Sequence, residues 1–332
     1  MNQRKFRLSI LDFVYIFEGD TVKQAIDNSM AVLAEADRLG FTRYWFTEHH
    51  NTGSLASTSP SLLIMLAGQH SHNIRIGAGG VMLPNHSALR IAEDFTTLEA
   101  LYPGRVDLGI GRAPGTDPKT HLELAGSDIS LDLKFSDLLS YFGRSFPHSN
   151  PKSVISIPGD ASLTPNIVML GSSSGGVQYA IQNGLMFSFA AHINPPPATE
   201  VLNFYKDHFR PSYYLEKPYS IFTIAVFVAE TLEEAQYLSG PAQLMWIRLR
   251  TGQSGRGFPT LEEAANYDYS EQERMIQEMN QSRFIIGTAD MVKARFETIL
   301  DETLADEIMI ADLYPTQDAR LQALNILKDF IK

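Results

Sequence analysis

The stretch that decides the fold is NIRIGAGGVMLPNHSALRIAEDFTTLEALYPGRVDLGIG, residues 73–111. It begins with an apolar run that contains several glycines and continues into a helical pattern that stops at Pro103-Gly104. It then ends in a second apolar run. A strand, a helix and a second strand in this order are typical of parallel strands joined by a crossover helix. The stretch therefore predicts one β/α unit and the start of the next.

The same alternation continues in both directions along the chain. The predicted strands lie at 6–17, 43–46, 73–83, 105–111, 166–172, 185–190, 219–229 and 307–312. Segments with helical periodicity separate them, and the first, at 21–39, carries one apolar stripe and stops at Gly40. Eight such units, rich in Val, Ile, Leu and Met, favour parallel strands buried on both faces. They predict an eight-stranded β/α (TIM) barrel rather than a doubly wound open sheet.

The chain has 332 residues, which is more than the roughly 250 residues of a typical barrel. We interpret residues 1–332 as a single domain whose surplus lies in two irregular insertions. One follows the fourth strand at 113–165, and the other follows the seventh strand at 230–285. We expect these insertions to build the substrate pocket. The aromatic residues that we consider as candidates to line it are Phe13, Tyr141, Phe189 and Trp246.

The composition excludes several classes of function. The chain has no cysteine, so it has no disulfide, iron–sulfur cluster, thiolate zinc site or cysteine nucleophile. A net charge of −11 argues against a nucleic-acid partner. No apolar run approaches the ~18 residues of a membrane span, and acidic residues interrupt the first apolar run where a secretory signal would need a cleavage site. These features predict a cytoplasmic protein.

The segment FTEHHN, residues 46–51, places a carboxylate beside two histidines at the end of the second predicted strand. Adjacent residues on a strand point to opposite sides, so His49 and His50 cannot easily face the barrel mouth together. The HExxH spacing is also absent, and we therefore expect no metal site. An acid–base or substrate-contact role for one histidine is favoured, because imidazole titrates near neutral pH. The alternative is a histidine that merely packs at a strand end.

Chemistry in a barrel belongs at the carboxyl ends of the strands. We therefore expect the polar groups and glycines at these ends to converge on one mouth. They are Asp12, Glu48 to His50, Ala78 to Gly80, Gly111 with Arg112, Gly171 to Gly176, His192 and Asp312.

The segment MLGSSSGGVQYAI, residues 169–181, leads from a strand through glycine and serine into a helix. Free N–H groups at such a helix start can bind an anion. No Walker lysine follows, so a monophosphate is favoured over a nucleoside triphosphate, and Arg112 is a candidate second contact. The alternative is ordinary serine capping of the helix.

Glycines at 77, 79 and 80 indicate a bulge, a tight turn or a close approach to a ligand. Neither GAGGVM nor GIGRAPG matches the dinucleotide fingerprint GxGxxG. The residues alone leave FMN and a sugar-phosphate-like ligand open.

Three motifs together resemble the bacterial luciferase-like flavin monooxygenase superfamily. They are RYWFTEHHN (43–51), the stretch 74–117 and VMLGSSSGGVQYAIQNGL (168–185). The resemblance is to single-chain bacterial oxidoreductases rather than to light-emitting luciferase. It implies a β/α barrel that receives FMN as FMNH2 from a separate NAD(P)H-dependent reductase. It also implies that the reduced flavin reacts with O2, through a C4a-hydroperoxide, to oxygenate a small organic substrate.

The resemblance also implies roles for individual residues. His49 matches the catalytic acid–base group, with Glu48 as its neighbour in the catalytic pair and His50 as a supporting residue. His192 is a weaker candidate for the rim of the site. Gly111 stands where luciferase has a reactive cysteine, and Gly171 stands where its phosphate segment has an acidic residue, so the resemblance does not imply light emission.

The expected cofactor contacts fall into two groups. Ala78, Gly79 and Gly80 would lie beneath the flavin ring, with a cis peptide bond between Ala78 and Gly79. The phosphate would be held by Arg112, Gly171, Ser172, Ser173, Ser174 and Gly175.

The resemblance further implies a homodimer formed through helices near 56–70 and 87–101. Two alternatives stay open at this point. One is an oxidoreductase that transfers a hydride from a reduced deazaflavin, and the other is a flavin-binding protein without turnover.

Overall fold

A computed structural model describes residues 4–125, 129–143, 157–253 and 257–332. Its centre is a closed barrel of parallel strands with helices around it, which confirms the predicted fold. The strands are β1 (Leu8–Asp12), β2 (Arg43–Phe46), β3 (Arg75–Met82), β4 (Val106–Gly111), β5 (Asn166–Gly171), β6 (Met186–Ala190), β7 (Ser220–Val228), β8 (Phe284–Gly287) and β9 (Glu307–Asp312). The ring runs from β1 through β7 to β9, and the pairing of β9 with β1 closes it.

The helices lie between these strands. They are α1 (Val22–Leu39), α2 (Pro60–Gln69), α3 (Ala88–Leu101), α4 (Pro118–Ala125), α5 (Leu131–Gly143), α6 (Ser174–Asn183), α7 (Ala198–His208), α8 (Leu232–Arg250), α9 (Leu261–Ala265), α10 (Glu271–Asn280), α11 (Ala289–Thr303) and α12 (Gln317–Leu327). The predicted first helix is confirmed. A capping box of Thr21 and Gln24 starts α1, and Gly40 ends it at a φ of 87°. No helix among the described residues is long and apolar enough to cross a membrane.

The interpretation of 230–285 as irregular was wrong. This segment forms α8, α9 and α10 and begins β8, which pairs with Ala225 to Val228 of β7. Pro241 inside α8 and the polar composition of α10 conceal the helical periodicity, and β8 lies outside the ring, paired only with β7 among the described strands. The other insertion holds α4 and α5, and its residues 126–128 and 144–156 lie outside the described residues.

The interior of the barrel is packed in two layers below the mouth. In the lower layer, Arg43 donates to Glu307 at 3.0 Å and to Asp107 at 2.8 Å. The layer above it is an apolar cluster of Leu11, Trp45, Val168, Met186, Ile221 and Met309. The barrel is therefore filled from its amino-terminal end upward, and the mouth at the carboxyl ends of the strands is the place for a ligand.

The expectation that Asp12 and Asp312 face the mouth was wrong. Both carboxylates lie outside the barrel wall, where they flank Arg320 of α12 at 2.9 Å and 2.7 Å. The Tyr44 hydroxyl also donates to Asp12. Side chains alternate along a strand, and position 12 and its register partner, position 312, fall on the side that faces the helices.

Candidate active site

His49 and His50 diverge at the end of β2, as the alternation along a strand requires. The His49 ring stacks on Phe13 at the mouth, with centroids 5.8 Å apart and an angle of 23° between the planes. The His50 ring turns the other way, and its Nε2 lies 2.9 Å from the buried Glu48 carboxylate. One histidine of the pair thus faces the mouth, and the other belongs to the structure behind it.

Glu48 is fully buried, and its carboxylate connects neighbouring loops through hydrogen bonds. Its carboxylate accepts from the Met82 N–H at 2.9 Å and from Asn85 Nδ2 at 3.3 Å, and His50 and His86 bond to it through Nε2. Burial raises the pKa of Glu48, but the two histidines and the Met82 N–H outweigh this effect and hold the pKa below its usual value. The structure therefore places Glu48 in a supporting position rather than facing the mouth beside His49.

A buried chain of hydrogen bonds fixes the tautomer of His49. The Ser57 hydroxyl donates to the Phe13 carbonyl at 2.9 Å, because a carbonyl oxygen can only accept. The Ser57 oxygen must then accept from the Thr47 hydroxyl at 2.9 Å. Thr47 in turn must accept from Nδ1–H of His49 at 3.1 Å. The neutral ring therefore carries its proton on Nδ1, and Nε2 keeps a free lone pair.

Burial also keeps this ring uncharged. It lowers the pKa of His49 to about 4, with the Glu48 charge opposing the shift and the His50 charge adding to it. At neutral pH the side chain is thus a neutral imidazole that can accept a proton or a hydrogen bond at Nε2.

His192 lies beside His49 at the mouth, as a rim residue. It follows β6, and its ring meets the ring of Phe13 edge-on at a centroid distance of 6.3 Å. Burial lowers the pKa of His192 to about 4, and this effect outweighs the Thr223 carbonyl, which raises it. Two neutral histidines therefore flank Phe13.

The glycines of β3 serve first to pack this strand against β4. A Cβ atom on Gly80 would lie 2.6 Å from the Gly109 carbonyl oxygen, and one on Gly109 would lie 2.1 Å from the Ala78 oxygen. The register of β3 on β4 shifts between Ala78 and Val81, which is the bulge that the sequence indicated. The cis peptide bond lies between Gly79 and Gly80, so its prediction at Ala78–Gly79 was wrong by one residue.

The start of α6 and Arg112 come together on another side of the mouth. A Cβ atom at Gly175 would lie 2.9 Å from both Nη atoms of Arg112, so glycine lets the guanidinium lie against the first turn of the helix. The guanidinium also covers the Tyr179 ring, 5.8 Å from its centroid. Ser173 is the N-cap residue, but its side chain makes no capping bond. The alternative of serine capping is therefore not what the structure shows.

Across the described residues, Arg112 forms no ion pair with a carboxylate. The first turn of α6 likewise receives no side-chain cap. A positive charge and the free N–H groups of a helix start therefore lie together, which is an arrangement that can bind an anion.

Sequence reasoning missed the polar groups that the second insertion brings to the mouth. Arg283, just before β8, donates to the His192 carbonyl at 3.2 Å, and its guanidinium lies over the Trp246 ring at 4.5 Å. Above Phe13, Tyr15 packs on Phe258 at 4.3 Å and contacts Met245. The sequence feature that could have indicated this site is the arginine directly before the apolar run FIIG.

The aromatic candidates for the pocket divide into two groups. Phe13 and Trp246 lie at the mouth, whereas Tyr141 and Phe189 are buried in the main hydrophobic core. No three His, Cys, Asp or Glu side chains in the described ranges are grouped so that they could hold a metal ion.

The family model of luciferase-like monooxygenases matches residues 6–307 of this chain. A luciferase-like monooxygenase of Escherichia coli K12 is 35% identical, over 99% of this chain and 98% of the relative. The uncharacterized protein YvbT of Bacillus subtilis is 37% identical, over 100% and 98%. The N-acetyl-S-alkylcysteine monooxygenase of Bacillus subtilis is 32% identical, over 69% and 70%.

Solved structures show the same fold. Apo-MsnO8 superimposes with a TM-score of 0.90 at 29% identity, over 98% of both chains. The oxygenating constituent of 3,6-diketocamphane monooxygenase from Pseudomonas putida, in complex with FMN, gives a TM-score of 0.71 at 18% identity, over 98% of both chains. An F420-dependent secondary alcohol dehydrogenase gives 0.66 at 14%, again over 98% of both. At such low identities, the last two matches show the barrel fold alone.

The two buried histidines predict how stability depends on pH. Unfolded histidine titrates near 6.5, whereas burial lowers the pKa of His192 to about 4. Between these values the unfolded chain binds more protons than the folded chain. The stability contributed by neutral His192 is therefore fully present above about pH 6.5 and is lost as the pH drops toward about 4. His192→Gln removes one of the two groups. Its unfolding free energy should therefore fall less than that of the wild type between about pH 7 and pH 4.5.

Urea denaturation at a series of pH values measures this difference. His72→Gln is the matched control, because His72 is exposed and its loss should leave the wild-type slope unchanged. Parallel pH curves for the wild type and His192→Gln would show that His192 is not a neutral buried group.

Proposed function

The chain belongs to the luciferase-like monooxygenase family, and from this membership we propose that it is an FMNH2-dependent monooxygenase that uses O2 to oxygenate a small organic molecule. One observation carries the proposal. His49 faces the barrel mouth with a free Nε2, and on the same mouth Arg112 lies against the uncapped start of α6. A neutral acid–base group and an anion site on one mouth are what a flavin mononucleotide enzyme needs.

The residues present fit the phosphate of FMN. Arg112 has no carboxylate partner in the described ranges, and the N–H groups at the start of α6 have no side-chain cap. Ser172, Ser173 and Ser174 add hydroxyl groups, and Gly171 and Gly175 keep the segment free of bulk. A dianion there would gain charge-assisted hydrogen bonds and the favourable end of the helix dipole.

Ala78, Gly79 and Gly80 would lie beneath the flavin ring. Ala78 is fully buried, and the glycines keep this part of β3 without side chains. Bound in reduced form, FMN supplies the activation of O2. The protein must hold the ring, control a proton near it and limit the access of water.

The chain's own contribution to catalysis is a proton-accepting group in a sheltered place. The Thr47–Ser57 chain holds the proton on Nδ1 of His49, so Nε2 is the atom that can take a proton or accept a hydrogen bond. The aromatic rings of Tyr15 and Phe258 pack above Phe13 and His49 and shield the mouth from solvent. We assign His49 the catalytic acid–base role and Glu48 a positioning role.

We also infer that FMNH2 is supplied by a separate NAD(P)H-dependent reductase. The sequence contains no GxGxxG fingerprint at either glycine-rich strand end, which supports an external source of reducing power.

The expected dimer surface has exposed apolar side chains. On α2, Leu62 and Met65 are 69% and 45% exposed, and Leu101 at the end of α3 is 51% exposed. The neighbouring helices α2 and α3 match the predicted segments 56–70 and 87–101. Burial of these side chains against a second copy would remove apolar surface from water, which supports a homodimer.

The first prediction concerns the phosphate contact. FMN should bind at least about tenfold more tightly than riboflavin, because only FMN offers a dianion to Arg112 and α6. Arg112→Met should remove most of this difference and leave riboflavin binding unchanged, as measured by fluorescence titration. Arg90→Met is the control, since its side chain lies 71% exposed on α3. Equal affinities for FMN and riboflavin in the wild type would contradict the phosphate assignment.

The second prediction concerns His49. His49→Ala should keep FMN affinity within about threefold of the wild type and lower the oxygenated product by about 100-fold or more, because a general acid–base group is lost. Product is measured by mass spectrometry with a panel of ketones, aldehydes and thioethers, and a flavin reductase provides FMNH2. His72→Ala is the control, and omission of the reductase should abolish product. An unchanged yield in His49→Ala would reject the catalytic role.

The same assay separates the alternatives. Product that forms without O2 from a reduced deazaflavin would favour hydride transfer. Flavin binding without product from any donor would favour a flavin-binding protein.

The third prediction concerns assembly. Light scattering should give the mass of a dimer for the wild type, and Leu62→Asp should shift it toward the monomer because a charge is then buried at the interface. Glu123→Asp, a conservative change at an exposed position of α4, should leave the mass unchanged. A wild-type monomer would rule the dimer out.

A further inference from the structure

Arg283 differs from the other buried arginines of the chain. The described residues include four buried arginines, and three of them bond to carboxylates. Arg43 pairs with Asp107 and Glu307, Arg248 with Glu263, and Arg320 with Asp12 and Asp312. Arg283 is 7% exposed, yet no Asp or Glu in the described ranges pairs with it. Since a buried charge is costly without a counter-charge, an outside anion is the expected partner.

Two further donors beside Arg283 also lack a partner. Asn280 is 2% exposed, and its Oδ1 accepts from Arg283 Nε at 3.0 Å, which fixes the orientation of the amide. Its Nδ2 is then a buried donor without an acceptor among the described residues, and the same is true of Trp246 Nε1. The Trp246 ring lies beneath the guanidinium at 4.5 Å. A cation and two unpaired N–H groups are therefore neighbours, and unpaired buried donors are rare in proteins.

The cluster lies at the level of the barrel mouth. β8 starts opposite Ala225 of β7, two residues beyond the end of the β6 pairing at Thr223, so the residue before β8 lies at the mouth. Arg283 donates to the His192 carbonyl at 3.2 Å. The His192 ring packs on Phe13, which stacks on His49. The cluster therefore contacts the rim of the mouth through His192, on the side formed by the second insertion.

The chemistry of the cluster selects the ligand class. One guanidinium and two neutral N–H groups match the charge and the two oxygens of a monoanionic carboxylate. The dianion site at Arg112 is separate, at the start of α6. Tyr15 packs on Phe258 and contacts Met245, the residue before Trp246, so apolar side chains are present near the cluster.

We infer that Arg283, Asn280 and Trp246 form a carboxylate-binding subsite, and that the substrate is a carboxylic acid whose apolar segment lies along Phe13 toward His49. The part that concerns the substrate rests on the proposed function. The subsite itself rests only on the unpaired donors. The carboxylate anchors one end of the molecule, and the position to be oxygenated lies beyond the apolar segment.

Binding of matched pairs tests the subsite. The probes are octanoate, 4-phenylbutanoate and (benzylthio)acetate, each compared with its primary amide by isothermal titration calorimetry, with and without FMN. At least one carboxylate should bind about tenfold or more tightly than its amide, because only the carboxylate satisfies the cation. If no carboxylate in the panel is preferred over its amide, the inference is overturned.

Three variants assign the preference to this cluster. Arg283→Gln should bring the affinity of the carboxylate down to that of the amide, whereas Arg283→Lys should keep part of the preference. Asn280→Asp is nearly isosteric and places a carboxylate of the protein beside Arg283, so it should abolish the preference while the arginine is still present. Arg274→Gln, on the exposed face of α10, is the control and should behave as the wild type.

The outcomes separate this inference from the proposed function. A carboxylate preference that persists in Asn280→Asp and Arg283→Gln overturns the subsite, whatever the result for FMN. A preference that these variants remove supports the subsite even if the protein fails to bind FMN. Binding of FMN and oxygenation that depends on His49, without a carboxylate preference, would leave the monooxygenase standing and this subsite refuted.

Discussion

The two-residue period of side chains along β2 is the constraint on which the rest of the site depends. The strand and its extended continuation direct Arg43, Trp45 and His49 to the inside of the barrel. They direct Tyr44 and Glu48 to the outside. A slip of one residue would exchange these faces and place a carboxylate where the neutral histidine lies. The base of the barrel, its apolar layer and the proposed acid–base group are thus positioned by a single register.

Much of this arrangement was predictable from the sequence, because it follows from periodicity. All eight strands of the barrel ring and the divergence of His49 and His50 depend on local alternation, which a sequence displays. The outward position of Asp12 and Asp312 depends on which face of their strands meets α12, and both residues sit in runs that are apolar on both faces. β8 was missed because it is a ninth strand outside the ring of eight. Its place is set by β7, far away in sequence.

The electrostatics of the mouth depend on burial as much as on charge. The two histidines are neutral because their surroundings exclude water, and Glu48 is ionised because donors surround it. In a chain with a net charge of −11, Arg112 and Arg283 have no acidic partner in the described ranges. An acidic protein thus presents a mouth whose uncompensated charges are positive. Local positive charges of this kind favour small anions as ligands.

The origin of β8 in an insertion has a consequence for how such proteins diverge. The groups that would perform the chemistry directly follow barrel strands, where a change disturbs the packing of the ring. The donors around Arg283 stand on α8, α10 and the turn into β8, outside the ring. Mutations can accumulate in this outer segment while the barrel keeps its geometry. A duplicated gene can therefore evolve a new substrate specificity while the enzyme keeps the same reaction.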